Sequence, residues 1–270
     1  MSASGPAAGA TATADPPAAK VKSADRVMAV LDLIAEQGSL SFGEIAERLE
    51  LPKSSAHALL HTMESRHYLR HDPGAKSYRL GSRIWELAQS HHELEDLRAL
   101  IKPLMNDLVG RTGETVQLAT LEGLDAVYLD LSESPHPVKL TSRAGARLPA
   151  HTSAIGKALL ADLDPEELAR RLDGVELERL TDRTITEVPE LIGVLDEVRR
   201  QGYSVDNEEF AIGLRCIAMP IRDDDRNAVA ALSVSMPTPR YDRAVARNAR
   251  TALAETAQAA GERLRRWSGS

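Results

Sequence analysis

Apolar residues along the first third of the chain recur at helical spacing. Val27, Val30, Leu31 and Ile34 fall at i, i+3, i+4 and i+7, one buried stripe of a helix that Ser23 is placed to cap and Gly38 to end. Ser41 followed by Glu44 reads as a capping box opening a short helix with Ile45 and Leu49 inward. Pro52 forbids simple continuation, and a further helix starts at Lys53 with Ala56, Leu59, Leu60 and Met63 as its stripe. Tyr68-Leu69-Arg70 and Ser77-Tyr78-Arg79-Leu80 then read as strands around an Asp72-Pro73-Gly74 turn, a β-hairpin wing. Three helices and a hairpin predict a winged helix-turn-helix.

The remainder mixes two periods. Helices are expected from Ser82 to about Ser90 and from Leu97 to Leu108, with Pro103 requiring a kink or a local start and the polar His91-His92-Glu93 between them. These long helices suit either dimer contacts or a core. Period-two runs predict strands at Thr115–Leu121, Ala126–Leu131 and Val138–Ser142, then at Tyr203–Asp206, Arg215–Ile221 and Ala228–Ser235. Helices are expected at Ser153–Ala161, Pro165–Leu172 (capped by Asp164), Pro189–Gln201 and about Tyr241–Trp267. Mixed strands with helices on one face suggest an α/β sensor module, and the whole chain reads as α+β.

Composition narrows the function. With 43% hydrophobic and 27% charged residues the chain resembles an ordinary globular protein, and no apolar run reaches the roughly 18 residues that span a bilayer. The first 22 residues lack the apolar centre of a signal peptide and read as a disordered tail. Cys216 is the only cysteine, which excludes an intramolecular disulfide and fits a reducing cytoplasm. Aromatic residues make up 3%, which argues against stacking of single-stranded bases. The net charge is −7, yet Lys20 to Leu80 holds nine basic against eight acidic side chains, a net of +1, so the acidic excess lies elsewhere.

On a helix-turn-helix the second helix enters the major groove. Its outward residues here are Lys53, Ser54, Ser55, His57, Ala58 and His61, short polar groups, a cation and imidazoles suited to phosphates and base edges. Lys76 and Arg79 on the wing and Arg26 near the first helix start are placed for phosphates. Four histidines, His57, His61, His67 and His71, have no packing role in the pattern. A protein-binding winged helix with a solvated polar face fits the same pattern.

No catalytic constellation emerges. Gly156-Lys157 lacks the upstream glycine and the following hydroxyl of a phosphate loop, and nucleophile elbow, zinc-helix and dinucleotide motifs are absent. Asp206, Glu208 and Glu209 could ligate a metal or form a solvated acidic loop, the latter preferred, so neither metal nor cofactor is expected. The helix opening at Thr152-Ser153-Ala154-Ile155-Gly156 offers free N–H groups to a carboxylate, or is simply capped with a packing glycine.

Three stretches resemble a known family. Asp25-Arg26 through Gly81, Gly145 through Leu160 (GARLPAHTSAIGKALL) and Gly202 through Ile221 (GYSVDNEEFAIGLRCIAMPI) are similar to the IclR (isocitrate lyase regulator) family of bacterial transcription regulators, over about Val21 to Arg265. The resemblance implies a disordered tail at 1–22, a winged helix-turn-helix at 23–81, a linker helix at 82–95 and a GAF-like effector-binding domain at 96–267. It implies a sequence-specific DNA-binding regulator, by default a repressor and not an enzyme. Its expected partners are a palindromic double-stranded operator, a small organic or aromatic acid, and further copies as a dimer or dimer of dimers. Carried over by motif, Ala154, Ile155, Asp206, Leu214, Cys216, Ser233 and Ser235 are expected to line the effector pocket, with Cys216 a small lining group or simply buried. Ile155 is bulkier than the family's usual residue, and Met236 stands in place of a usual glycine; both departures bear on the size and shape of the ligand.

Overall fold

A computed structural model describes residues 21–89 and 92–268. The tail expected at 1–22 lies outside the described residues except for its last two positions, and His91 lies outside them too. The chain divides into two compact units, the second beginning at His92.

In the first unit, α1 (Lys22–Gln37) is followed by β1 (Leu40–Ser41), α2 (Phe42–Arg48), α3 (Lys53–Ser65), β2 (Leu69–Asp72), β3 (Ser77–Leu80) and α4 (Ser82–Gln89). Val30 and Ile34 of α1, Ile45 of α2, Leu60 and Met63 of α3 and Leu69 of β2 meet in one core. The capping box is present: Glu44 N–H donates to Ser41 Oγ at 3.3 Å and Ser41 N–H to Glu44 Oε2 at 2.8 Å. Ser23, by contrast, caps nothing. The helix already includes it and begins at Lys22 behind Val21. The short β1 adds a third strand, in the order β1-β3-β2.

Gly81, between wing and α4, is set by space. A Cβ there would lie 2.1 Å from the His67 carbonyl oxygen, while Gly81 N–H donates to Tyr68 O and Arg83 N–H to His67 O. The left-handed φ of 61° at His67 gives that residue a turn role, and His71 stacks on Tyr78 at 4.7 Å. Of the four histidines, His71 is thus accounted for by a ring contact and His67 by its backbone in the turn.

The second unit contains α5 (His92–Thr112), β4 (Thr115–Glu122), β5 (Asp125–Ser132), β6 (Arg147–Pro149), α6 (Ala154–Leu160), α7 (Pro165–Leu172), α8 (Val188–Gln201), β7 (Ser204–Asn207), β8 (Leu214–Arg222), β9 (Ala228–Pro237) and α9 (Arg243–Ser268). Pro103 sits inside α5, so no helix starts there. The six strands pair antiparallel in the order β6-β5-β4-β9-β8-β7. The edge strand is 147–149, not the expected 138–142: the latter segment has no ladder, and its alternation is that of a partly buried loop.

Helices cover both faces of this sheet, not one. Val116, Leu118, Ile217, Met219, Leu232 and Val234 point to one side and pack on α5 and α9. Ala119, Cys216, Ala218 and Ala231 point to the other and pack on α6. The alternation itself sorts the side chains, because successive residues of a strand face opposite ways. Asp130 on β5 ties α5 down through Lys102 Nζ at 2.9 Å and Arg98 Nε at 3.2 Å.

Gly81→Ala is expected to destabilise the protein by about 1–3 kcal/mol, the usual range for overpacking, as a lowered urea midpoint. An unchanged midpoint would show that the crossing of wing and α4 relaxes freely.

Candidate functional site

Helix α3 buries Ala56, Leu60 and Met63, which leaves Lys53, Ser54, Ser55, His57, Ala58 and His61 exposed. These residues divide between two flanks. Ser55 and Ala58 turn toward α1 and, with Arg26, line a cleft of about 460 Å³. On a helix of 3.6 residues per turn Lys53, Ser54, His57 and His61 share the remaining outward ridge. In the wing, Asp72 holds the turn by accepting from Gly74 N–H at 2.9 Å and Ala75 N–H at 3.1 Å. Lys76 at the tip and Arg79 on β3 are both exposed. With Arg70, opposite Arg79 on β2 and also exposed, the surface is a polar helix ridge and a three-cation hairpin on one small body, a shape fit for a groove and its flanking phosphates.

The second site lies between the sheet and α6. Ser153 caps that helix, its Oγ accepting from Gly156 N–H at 3.1 Å. A Cβ on Gly156 would lie 2.2 Å from the Ala150 carbonyl oxygen, so this glycine serves packing. Ala154, Ile155, Leu214 and Cys216 fall in one buried cluster. Asp206, Cys216 and Ser235 are register neighbours on β7, β8 and β9. Cys216 Sγ and Ser235 Oγ are 3.2 Å apart, and Ser233 and Ser235 both donate to Gln117 Oε1 of β4, at 2.7 and 3.1 Å. All seven residues expected from the family motifs come together here. Met236 does not: its side chain packs on the opposite face, among the α5 and α9 contacts, so of the two departures only Ile155 bears on this site.

Gln117 and Tyr128 belong to this locus and were not singled out from sequence. The signal for Gln117 in the sequence is one polar residue within the apolar run Val116-Gln117-Leu118-Ala119. The acidic motif is also more ordered than a solvated loop, since Asp206, Glu208 and Glu209 are all buried. Each has its own partner. Asp206 Oδ1 accepts from Glu209 N–H at 2.7 Å, Glu208 pairs with Arg183 at 2.7 Å, and Glu209 pairs with the buried Lys157. Among the described residues no group of three or more His, Cys, Asp or Glu could hold a metal ion.

Two buried polar atoms here have no hydrogen-bond partner: Gln117 Nε2 and Asp206 Oδ2. Leaving such atoms unpaired costs about 1–3 kcal/mol each. Burial pushes the Asp206 carboxyl up to about 6, against the lowering effect of the Glu209 N–H, with the Glu209 charge raising it further and Lys157 lowering it. Burial, then the neighbouring Asp206, holds the Cys216 thiol well above its ordinary range, which makes it a poor nucleophile.

The raised Asp206 value implies a pH effect on stability. The folded state holds the Asp206 proton more tightly than the unfolded chain, so this stabilisation is complete below about 4 and is lost as pH rises through about 6. A shift of about two units corresponds to about 3 kcal/mol. Asp206→Asn should therefore gain on the wild type in paired urea titrations between pH 4 and 7; parallel stability curves would refute the assignment.

Both parts of the chain resemble known proteins. Residues 23–73 match the IclR helix-turn-helix domain, and residues 89–261 match the bacterial transcriptional regulator IclR C-terminal domain. The HTH-type transcriptional regulator KdgR of Escherichia coli is 37% identical over 221 residues, 82% of this chain and 84% of that protein. The transcriptional repressor IclR of the same organism is 35% identical over 234 residues, 86% of this chain and 85% of that protein. Among solved structures, an IclR homologue from Microbacterium hydrocarbonoxydans complexed with 4-hydroxybenzoate superposes with a TM-score of 0.77 at 28% identity, covering 90% of this chain and 98% of that one. Among the described residues no helix is long and apolar enough to cross a membrane. The chain belongs to the IclR family of bacterial transcriptional regulators, DNA-binding proteins with a C-terminal effector-binding domain and not enzymes.

Proposed function

We propose that this regulator is a cytoplasmic repressor that binds a palindromic operator as a dimer or dimer of dimers and alters its grip when a small organic or aromatic acid inserts between the sheet and α6. The winged helix-turn-helix extends over 23–81, a linker follows at 82–95, and the effector domain occupies 96–267. Lys53, Ser54, His57 and His61 face the groove; Ser55 and Ala58 fit against its edge; Arg26, Lys76 and Arg79 take phosphates. Ala154, Ile155, Asp206, Leu214, Cys216, Ser233 and Ser235 surround the acid.

The observation that carries this reading is the buried row of polar groups in an otherwise apolar layer, with two polar atoms unpaired. A core built only for stability would have filled those positions with apolar side chains. The relatives named as repressors, and the homologue that holds 4-hydroxybenzoate, support the direction and the ligand class. Linkage sets the mechanism: ligand changes operator affinity only by binding the DNA-competent and incompetent arrangements unequally.

Mobility-shift titration of the full chain against the DNA upstream of its own gene, at several salt concentrations, tests the DNA half. Lys53→Ala should weaken binding and flatten the dependence of log affinity on log salt by about one unit, as loss of one phosphate contact does. Equal affinity and slope for both proteins would sink the helix assignment. Asp206→Ala combined with Ser233→Ala should abolish the response to acids while operator binding stays unchanged; a retained response would place the ligand elsewhere.

A further inference from the structure

Gln117 has no place among the residues the family motif assigns to the ligand, yet it sits on the central strand β4 and is fully buried. Two serine hydroxyls converge on its Oε1, which turns the amide so that Nε2 is spare. An amide N–H buried beside hydroxyls and left unpaired is the mark of a site waiting for an acceptor. Asp206 Oδ2 is the matching spare acceptor on β7.

The strand order β4-β9-β8-β7 puts three spacings, about 14 Å at about 4.8 Å each, between the two backbones, and Gln117 pairs with Ser233 while Asp206 is in line with Ser235, two positions further along β9. Ser235 and Cys216 lie between them and are already in contact with each other. One molecule that satisfies both ends is therefore elongated, with its acceptor and its hydroxyl well separated.

Charge restricts the class further. The ammonium of Lys157 is the cation of this layer, and Glu209 already neutralises it. Arg215, next in sequence to Cys216, lies on the opposite face over the Tyr241 ring at 4.7 Å. A second carboxylate placed at the Asp206 end would face a like charge without a counter-ion.

We propose that Gln117 is a specificity-determining residue: its spare N–H donates to the carboxylate of the effector while Asp206 accepts from a hydroxyl at the far end, so that the site selects singly charged hydroxy acids with the two groups at opposite ends. This rests on the effector site placed beneath α6. Ile155, pressed into the same apolar cluster, narrows the middle of the molecule that fits. The partly buried Leu140 and Phe210 pack against the same cluster from two loops. A site built to hydrogen-bond a hydroxyl rejects the analogue that lacks it, because the site's own group is then left unpaired.

Calorimetry on the full-length protein tests this with two sets of probes. One set is 4-hydroxybenzoate, 2-hydroxybenzoate, benzoate and terephthalate; the other is 5-hydroxypentanoate, pentanoate and glutarate. In at least one set the end-to-end hydroxy acid should bind about tenfold or more tightly than every other member. Gln117→Leu should bring that preferred acid down by about tenfold or more while the melting temperature shows the protein still folded. The wild-type ranking alone decides the matter if the variant does not fold. Equal affinity for the plain acid or the diacid, or undiminished binding to a folded Gln117→Leu protein, overturns the inference. If Asp206→Ala with Ser233→Ala still abolishes the acid response in that case, the site beneath α6 stands and only its selectivity is wrong. If no probe binds, or binding survives that double substitution, the site and the inference fall together.

Discussion

A sheet with both faces covered imposes one constraint that everything else in the second unit obeys: each strand must hold its register. On β4, β8 and β9 the odd and even positions carry different chemistry. Val116, Leu118, Ile217, Met219, Leu232 and Val234 supply a fully apolar face against α5 and α9, and Gln117, Cys216, Ser233 and Ser235 supply the polar row against α6. A slip of one residue in any pair would exchange these sets, driving serine and glutamine into the apolar core. The apolar face is therefore what fixes the polar one. Each buried aliphatic side chain on it contributes about 1.5–3 kcal/mol, which offsets the cost of keeping unpaired polar atoms on the other side.

Helix α6 is held over that row from several directions. Gly156 admits the Ala150 backbone, Ser153 caps the first turn, the Ser204 hydroxyl donates to Ala154 O, and Lys157 reaches Glu209. The lysine shows how a buried charge is tolerated: it is 1% exposed and ion-paired, in a position where an unpaired ammonium would be very costly. Glu209 in turn accepts from Asn207 N–H, and its own N–H goes to Asp206, so the acidic motif forms a folded-back loop that leaves one Asp206 oxygen unpaired and commits the other carboxylates to structure.

Much of the first unit was legible because its signals are local. Ser41 with Glu44, the stripe of α3, and the Asp72-Pro73-Gly74 turn each act within a few residues, and each is found where expected. Ser23 misled because a good capping residue does not start a helix where the preceding backbone is already helical. The second unit was less legible where pairing is non-local. Residues 138–142 alternate as a strand would, yet the edge of the sheet is taken by 147–149, and β1 is too short to carry a pattern at all. Helices on both faces could not be read because Gln117, Ser233 and Ser235 look like solvent-facing positions in sequence, although they are buried. Gln117 stayed hidden for a related reason: only the pairing of β4 with β9 brings it to Ser233 and Ser235. His67 and His71 looked spare until the turn and the stacking partner were visible.

The crossing at Gly81 has a mechanical consequence. The chain leaves the wing through a gap that admits no side chain, and hydrogen bonds there join Gly81 and the start of α4 to the turn between α3 and β2, so the base of the hairpin and the start of α4 are fastened together. A twist applied to the start of α4 then bears on the base of the hairpin, where Gly81 and Arg83 bond to Tyr68 and His67. Any foreign sensory module spliced in behind Gln89 would find the same steering column already attached to the reading head.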